Sequence, residues 1–294
     1  MRNLLIVNPH ARQVAAHPGL PADIQACLAS HGVRTQLHLT RSAADAAETA
    51  GVAAREGCSM VIAAGGDGTI NEVVNGLAMS DTAVGVVPLG TGNVFGHYLK
   101  LKPGDIDGAC ELIGRGLRRR IDLGCMNGRY FVNMAGVGLD AQVALDVVDF
   151  WKSLVGTYAF VAQFMATGAT VEPWQFEASI DGKEIGGRMW MLFACNTSLY
   201  TWRVQLVPDA DECDGQLDFV VFRACARDAL YRQVADLFVN HKSAADCEDM
   251  QVIRGRQLRA SARPPAPWQV EGEVVDTTPI ECRVQPGALL AMSR

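Results

Sequence analysis

The strongest constraint on the fold is a strand, turn and helix-start pattern that occurs twice in the N-terminal part of the chain. Met60–Ala64 is a short apolar run that ends in Gly65-Gly66-Asp67-Gly68, and Ile70–Leu77 follows with helical spacing. The pattern returns as Ala83–Val87, then Pro88-Leu89-Gly90-Thr91-Gly92-Asn93, then a short helix predicted over Val94–Leu99. Glycines let such a turn take positive φ and approach a ligand closely. The free N–H groups of the following helix, with its dipole, favour an anion at that point. One such turn is also compatible with no ligand at all. Two of them after neighbouring parallel strands fall on the same edge of a sheet, where ligands of α/β proteins gather. With hydroxyls at Thr69 and Thr91, the pair makes a cradle suited to a triphosphate.

The surrounding pattern agrees. Leu4–Val7 and Thr35–Leu39 read as strands, Asp23–Ser30 and Ala43–Arg55 as helices. Strands alternating with helices predict an α/β N-terminal domain, a parallel sheet with helices on both faces. After Ile121-Asp122-Leu123 the composition shifts toward strands: Phe176–Ile180 and Glu184–Gly186 around Asp181-Gly182, then Met189–Cys195, Leu217–Arg223, Asp249–Ile253, Gln257–Ala262 and Trp268–Val270. Asp-Gly between two such runs is a hairpin signal. Helical stretches are predicted over Asp140–Thr167 and Ala226–Asn240. This part reads as a mainly antiparallel β-sandwich C-terminal domain.

Bulk properties narrow the partners. The formal charge of −6 over 294 residues provides no global basic field, so no nucleic acid partner is expected. The nine cysteines are odd in number and scattered, without metal-binding pairs, and read as free thiols of a reducing compartment. The apolar run at Leu4–Val7 is too short for a signal peptide, and no uninterrupted apolar stretch reaches the roughly 18 residues of a membrane span. A cytoplasmic location is expected.

Neither loop is a Walker P-loop, since no Gly-Lys-Ser/Thr follows, and Gly-x-Gly-x-x-Gly is absent. An Asp inside a phosphate loop would repel phosphate unless a divalent cation lay between them, so Asp67 reads as a Mg2+ ligand, direct or through water. Gly65–Leu77 (GGDGTINEVVNGL) followed by Pro88–Phe95 (PLGTGNVF) resembles the catalytic core of the diacylglycerol kinase-like lipid kinases, which include sphingosine and ceramide kinases. The first loop alone is shared with NAD kinases and phosphofructokinases; the spaced pair is far more specific. The resemblance extends through Asn8-Pro9, Ile121–Gly124, Pro208–Asp218 and Glu271-Gly272-Glu273.

The resemblance implies an ATP-binding catalytic domain over 1–123, a β-rich lipid-binding domain over 124–282, and a final stretch, 283–294, that returns to the first domain. It implies that Asn8, Thr40, Gly66, Asp67, Gly68, Thr69, Ile70, Asn71, Glu72, Thr91, Gly92 and Asn93 line the ATP site. It also implies that Glu273 is the general base toward a lipid hydroxyl, with Asp67 and Asp122 in the network around the catalytic Mg2+. Some members carry a further Asp where this chain has Val94, and Glu271 replaces the usual Asp. A second, structural Mg2+ is implied at Asp214, with the backbone carbonyls of Asp211 and Gln216.

The implied partner is a membrane lipid met by peripheral contact, with a homodimer as an implied assembly. Phe150, Trp151, Leu154, Val155, Tyr158, Phe160, Val161, Phe164 and Met165 form an apolar series that fits a core helix or an acyl-chain cleft. Arg115, Arg118, Arg119 and Arg120, and Arg254, Arg256, Arg259 and Arg263, fit a solvated face or contacts to anionic headgroups. Two other functions stay open. A nucleotide-binding lipid sensor without turnover is motivated by Val94. A soluble-substrate kinase of the NAD kinase type shares the first loop, but has no later Asn-Glu ribose motif here.

Overall fold

The computed structural model describes residues 2–90, 92–146, 157–201 and 204–293, without the side chains of residues 43 and 157–160. The chain divides into two compact units, Met1–Leu123 with Pro286–Arg294, and Gly124–Gln285.

The first unit is built on strands β1 (Asn3–Val7), β2 (Gln36–Leu39), β3 (Met60–Gly65) and β4 (Ala83–Pro88). They run parallel in the order β2-β1-β3-β4, and Leu290–Ala291 adds a further parallel pairing beside β4. Every residue of β3 and β4 is buried, which explains why these strands read as continuous apolar runs rather than alternating ones. The helices are α1 (Arg12–Ala16), α2 (Leu20–Ser30), α3 (Ala43–Arg55), α4 (Asp67–Leu77), α5 (Val94–Tyr98) and α6 (Ile106–Arg115). Helix α2 packs on α6, and α3 packs on α4. The last pair is close because its contact residues are small: a Cβ on Gly76 would lie 2.3 Å from the Ala47 carbonyl oxygen and 2.9 Å from the Ala50 Cβ.

Strand order fixes where a ligand can bind. The chain passes from β1 outward to β2 on one side, and from β3 outward to β4 on the other. The loops after β1 and β3 therefore diverge and leave a crevice at the carboxyl edge of the sheet, the topological switch point.

The second unit is antiparallel in its paired strands. Gly187–Cys195 lies between Leu217–Arg223 and Met134–Gly138, and its first residues also pair with Trp174–Phe176. Trp174–Ile180 pairs with Gln257–Arg263, which pairs with the start of Ile280–Met292. On the other side Met134–Gly138 pairs with Pro267–Val270, which pairs with Glu273–Thr277. The inward faces build one apolar cluster that includes Phe176, Trp190, Phe193, Phe219, Phe222, Leu258 and Trp268.

The expected hairpin at Asp181-Gly182 is present, with φ of 49° and 80° at its two central residues. Three details differ from the sequence expectation. Helix α4 starts at Asp67 rather than Ile70, because Gly66 is the extended N-cap residue. Helices α1 and α6 are additional; Asp105 caps α6 by accepting the Gly108 N–H at 3.0 Å. The predicted stretch Asp140–Thr167 is described as two helices, Leu139–Asp146 and Thr157–Thr170, with 147–156 outside the described residues. Among the described residues no helix is long and apolar enough to cross a membrane.

Candidate nucleotide and acceptor sites

The crevice of the first unit is lined by the expected loops. At the end of β1 the Asn8 side-chain amide donates to the Thr69 hydroxyl at 3.1 Å, bridging the switch point between β1 and β3. Asn8 Oδ1 also accepts the His10 N–H at 2.9 Å, which turns the chain away from the edge. Thr40 is buried just beyond β2, its N–H bonded to the Val7 carbonyl at 2.9 Å. Gly65 is a glycine for reasons of space: a Cβ there would lie 2.6 Å from the Thr69 Cβ. A Cβ on Gly90 would lie 2.6 Å from the Cα of Gly66, so the two loops touch backbone to backbone.

Asp67, the first residue of α4, joins the loops. Its Oδ2 accepts the Asn93 N–H at 2.7 Å and its Oδ1 accepts the Val94 N–H at 2.7 Å. A Cβ on Gly92 would lie 2.6 Å from Oδ2, so only glycine leaves room for the carboxylate. Burial pushes the Asp67 carboxyl above its ordinary range, and the N–H groups of Val94, Asn93 and Asp67 itself offset part of that shift. The next N–H groups, of Gly68 and Thr69, belong to the first turn of α4 and have no partner within a helix. A buried carboxylate beside an anion-favouring helix start suits an oxygen-seeking divalent cation, so the residues present fit Mg2+.

Other residues of the implied ATP site have different surroundings. Ile70 and Asn71 are buried on α4, and the Asn71 carbonyl accepts the Asn75 side-chain amide at 2.9 Å. Glu72 lies in the same helix. Asn93 is fully buried and left-handed, φ 49°, with its side chain folded back on Gly90: it donates to the Gly90 carbonyl and accepts the Gly90 N–H. It shapes the second loop through its side chain. Thr91 lies outside the described residues. Asp122 is buried, and its Oδ1 accepts the Gly287 N–H at 2.7 Å, tying the returning C-terminal strand to this unit.

In the second unit Glu271-Gly272 is the two-residue turn of a hairpin, with φ of 51° and 85°. A glutamate in the left-handed region is strained unless its surroundings hold it. Here they do. Glu271 Oε1 accepts the N–H groups of Val132 and Asn133 at 2.8 and 2.7 Å, and Oε2 accepts the Asn133 side-chain amide at 2.9 Å. Glu273 follows with its side chain about half exposed and paired to Arg129 at 3.3 Å. The sequence reading missed a support beneath this turn. Gln269 Oε1 accepts the Gly272 N–H at 2.7 Å, and its amide donates to buried Asp140 at 2.7 Å. Asp140 also accepts the Tyr200 hydroxyl. The available signal was a glutamine inside the buried strand Pro267–Val270.

The acidic loop fits the implied structural metal less directly. Asp214 Oδ2 is engaged by Arg254 at 2.7 Å, and its Oδ1 accepts the Gln216 N–H at 2.9 Å. Arg254 also pairs with Asp218 at 3.2 Å. Among the described residues, acidic and thiol ligand atoms converge within 4.8 Å of one another at Asp211, Glu212 and Cys213. The two carboxylates suit a hard cation and the thiol does not.

Of the apolar series, Phe164 is buried in the core and Met165 is partly exposed. Val161 packs against the core, and the side chains of Phe150, Trp151, Leu154, Val155, Tyr158 and Phe160 lie outside the description. Several of the arginines are paired: Arg115 with Glu111, Arg120 with Asp81, Arg259 with Glu281 and Arg263 with Glu177. Arg119 donates to the Tyr98 hydroxyl at 3.2 Å.

The two units correspond to two known domain families. Residues 2–126 match the diacylglycerol kinase catalytic domain, and residues 133–293 match the YegS C-terminal NAD kinase beta sandwich-like domain. A diacylglycerol kinase of Bacillus subtilis is 37% identical over 194 residues, 65% of this chain and 64% of the relative. A diacylglycerol kinase of Staphylococcus aureus is 34% identical over 222 residues, 75% of this chain and 70% of the relative. The aligned part thus spans under two thirds of the B. subtilis relative's length. A crystal structure of a candidate diacylglycerol kinase from Bacillus anthracis shares the fold, with a TM-score of 0.83 at 24% identity over 100% of this chain and 95% of that one. Both domains, in order, and relatives at this level of identity establish that the chain belongs to the diacylglycerol kinase family of lipid kinases.

Proposed function

We propose that this protein transfers the γ-phosphate of ATP to a hydroxyl of a membrane lipid, of the diacylglycerol type or a related one. The observation that carries this reading is the Asp67 carboxylate, which joins two glycine loops at the switch point of a parallel sheet. Phosphoryl transfer requires the nucleotide to be positioned, its charge offset and the acceptor's proton removed. The backbone N–H groups of Gly68 and Thr69, in the first turn of α4, position the phosphates, and Asn8 holds the Thr69 hydroxyl in place. Mg2+, held at Asp67, would supply charge neutralisation on the nucleotide. Asp122 supports the same unit through Gly287. Glu273 takes the proton of the acceptor hydroxyl, a role its half-exposed carboxylate allows. Peripheral contact with the bilayer, a cytoplasmic setting and a homodimer complete the reading. A cation at the acidic loop would use Asp211 and the Gln216 carbonyl and draw Asp214 away from Arg254.

The test is incubation with labelled ATP and total lipid extract, with the product identified by mass, alongside NAD as an alternative acceptor. A phosphorylated lipid is the expected product. Phosphorylated NAD, or ATP binding without any product, overturns the reading. Glu273→Gln should bind ATP normally and lose about 10²–10⁴-fold in turnover; undiminished turnover removes Glu273 from the mechanism.

A further inference from the structure

Beneath the Glu271-Gly272 turn lies a buried polar chain that apolar packing does not explain. Asp140, at the start of helix Leu139–Asp146, and Gln269, in strand Pro267–Val270, are both buried. Gln269 uses both ends of its amide, donating to Asp140 Oδ2 at 2.7 Å and accepting the Gly272 N–H at 2.7 Å. The other Asp140 oxygen accepts the Tyr200 hydroxyl, so both carboxylate oxygens face donors. Space for the contact comes from Gly136. A Cβ there would lie 2.4 Å from Asp140 Oδ2 and 2.9 Å from Gln269 Nε2. A buried amide with both ends engaged has one low-energy orientation, because reversing it would set donor against donor and acceptor against acceptor.

We propose that Asp140 is a positioning residue for the turn that carries Glu273, acting through Gln269 on the Gly272 N–H. Asp140 fixes which way the Gln269 amide points. Gln269 then holds one side of the turn while the Glu271 carboxylate, bonded to Val132 and Asn133, holds the other. The turn is thereby clamped from two independent directions, and the backbone that bears the Glu273 side chain is set by both. This inference rests on Glu273 being the base toward the acceptor.

The first test needs no variant. The Gly272 amide hydrogen should exchange slowly despite its place at a hairpin tip; exchange at the rate of an open turn overturns the proposal. Kinetics on the full chain supply the second. Gln269→Met keeps the side-chain length but neither hydrogen bond. Gln269→Met and Asp140→Ala should each lower kcat by about 10²-fold, the scale of a displaced reacting group, with ATP affinity unchanged. The double variant should lose no more than either alone. Asp140→Asn, whose oxygen can still accept from Gln269 while its amide turns to the Tyr200 oxygen, should recover most of kcat. Losses that multiply in the double variant, or a raised KM for lipid at unchanged kcat, overturn the proposal by giving Asp140 a direct substrate contact. Turnover in Glu273→Gln is measured in parallel. If it persists, the base assignment fails, while Gly272 exchange still reports on the clamp.

Discussion

Asp67 Oδ1 accepts the backbone N–H of Val94 at 2.7 Å. Val94 stands where the family resemblance implies an Asp in some members, and a valine there leaves this bond intact because the donor is main chain. The two glycine loops are joined through the Asn93 and Val94 N–H groups, and any non-proline residue at 94 can donate the second of these bonds. Relative to those members, Val94 would leave one negative charge fewer near Asp67. The sensor reading motivated by Val94 therefore draws no support from loop geometry.

Asp67→Asn tests the joint. An amide matches one of the two N–H groups and sets its own NH2 against the other, leaving donors opposed. The expected cost is about 1–3 kcal/mol of stability, together with weaker Mg-ATP binding. Thermal melts and calorimetric titration read both, and an unchanged melting temperature would count against the joint. Gly92→Ala should act in the same direction, since its Cβ would meet Oδ2 at 2.6 Å.

The acceptor-side turn gives a second expectation. Glu271→Gln keeps the shape of the side chain and removes the charge that receives three N–H bonds from Val132 and Asn133. Bonds to a charged acceptor are worth more than neutral ones, so a loss of about 1.5–3 kcal/mol is expected in denaturant unfolding. Turnover should fall with it, since the left-handed φ of 51° at Glu271 loses its restraint. Normal stability and turnover would show that the turn holds its shape unaided.

These residues also show how far a sequence can be read. The paired glycine loops were legible because their spacing reports strand, turn and helix directly, and their parallel pairing followed. The Glu271-Gly272-Glu273 segment stood out through the family resemblance, and its hairpin geometry came only with the structure. Asp67 stood out as a carboxylate inside a glycine turn, but its partners did not, being main-chain N–H groups whose identity no side chain reveals. Asn93 looked like a ligand contact because it lies in the loop; its side chain is instead buried in shaping Gly90. Glu271 looked like a mild departure from Asp, though its carboxylate holds the turn. Asp140 meets Gln269 across 129 residues of sequence, and only folding shows the contact.

Acid stability should depend on Asp45. Its carboxyl lies below the ordinary value of 3.8, first because it accepts the Arg41 N–H and next because His38 is bonded to it. A depressed folded value means the folded chain binds this proton less readily than the unfolded chain. The stabilisation is present above about 3.8 and is lost as the pH falls through the lower folded value. The melting-temperature difference between wild type and Asp45→Asn should shrink as pH drops through that window. A difference independent of pH would assign the effect to something other than titration.

The acidic loop allows a sharper test, because Arg254 already neutralises part of it. Its guanidinium meets Asp214 at 2.7 Å and Asp218 at 3.2 Å. Burial pushes the Asp218 carboxyl up and Arg254 pulls it down, so the arginine is what keeps that charge tolerable. A divalent cation using Asp214 must compete with this pair. In wild type, millimolar Mg2+ should therefore raise the melting temperature only slightly. Arg254→Gln should unfold earlier without metal and regain more with it, because the freed carboxylates then favour the cation. The comparison is a melt series with Mg2+ or chelator on both proteins. Equal gains in the two would mean that Arg254 and the cation do not share the loop. No gain in either would exclude a stabilising cation at Asp211 and Asp214, leaving Arg254 as the charge that closes the loop.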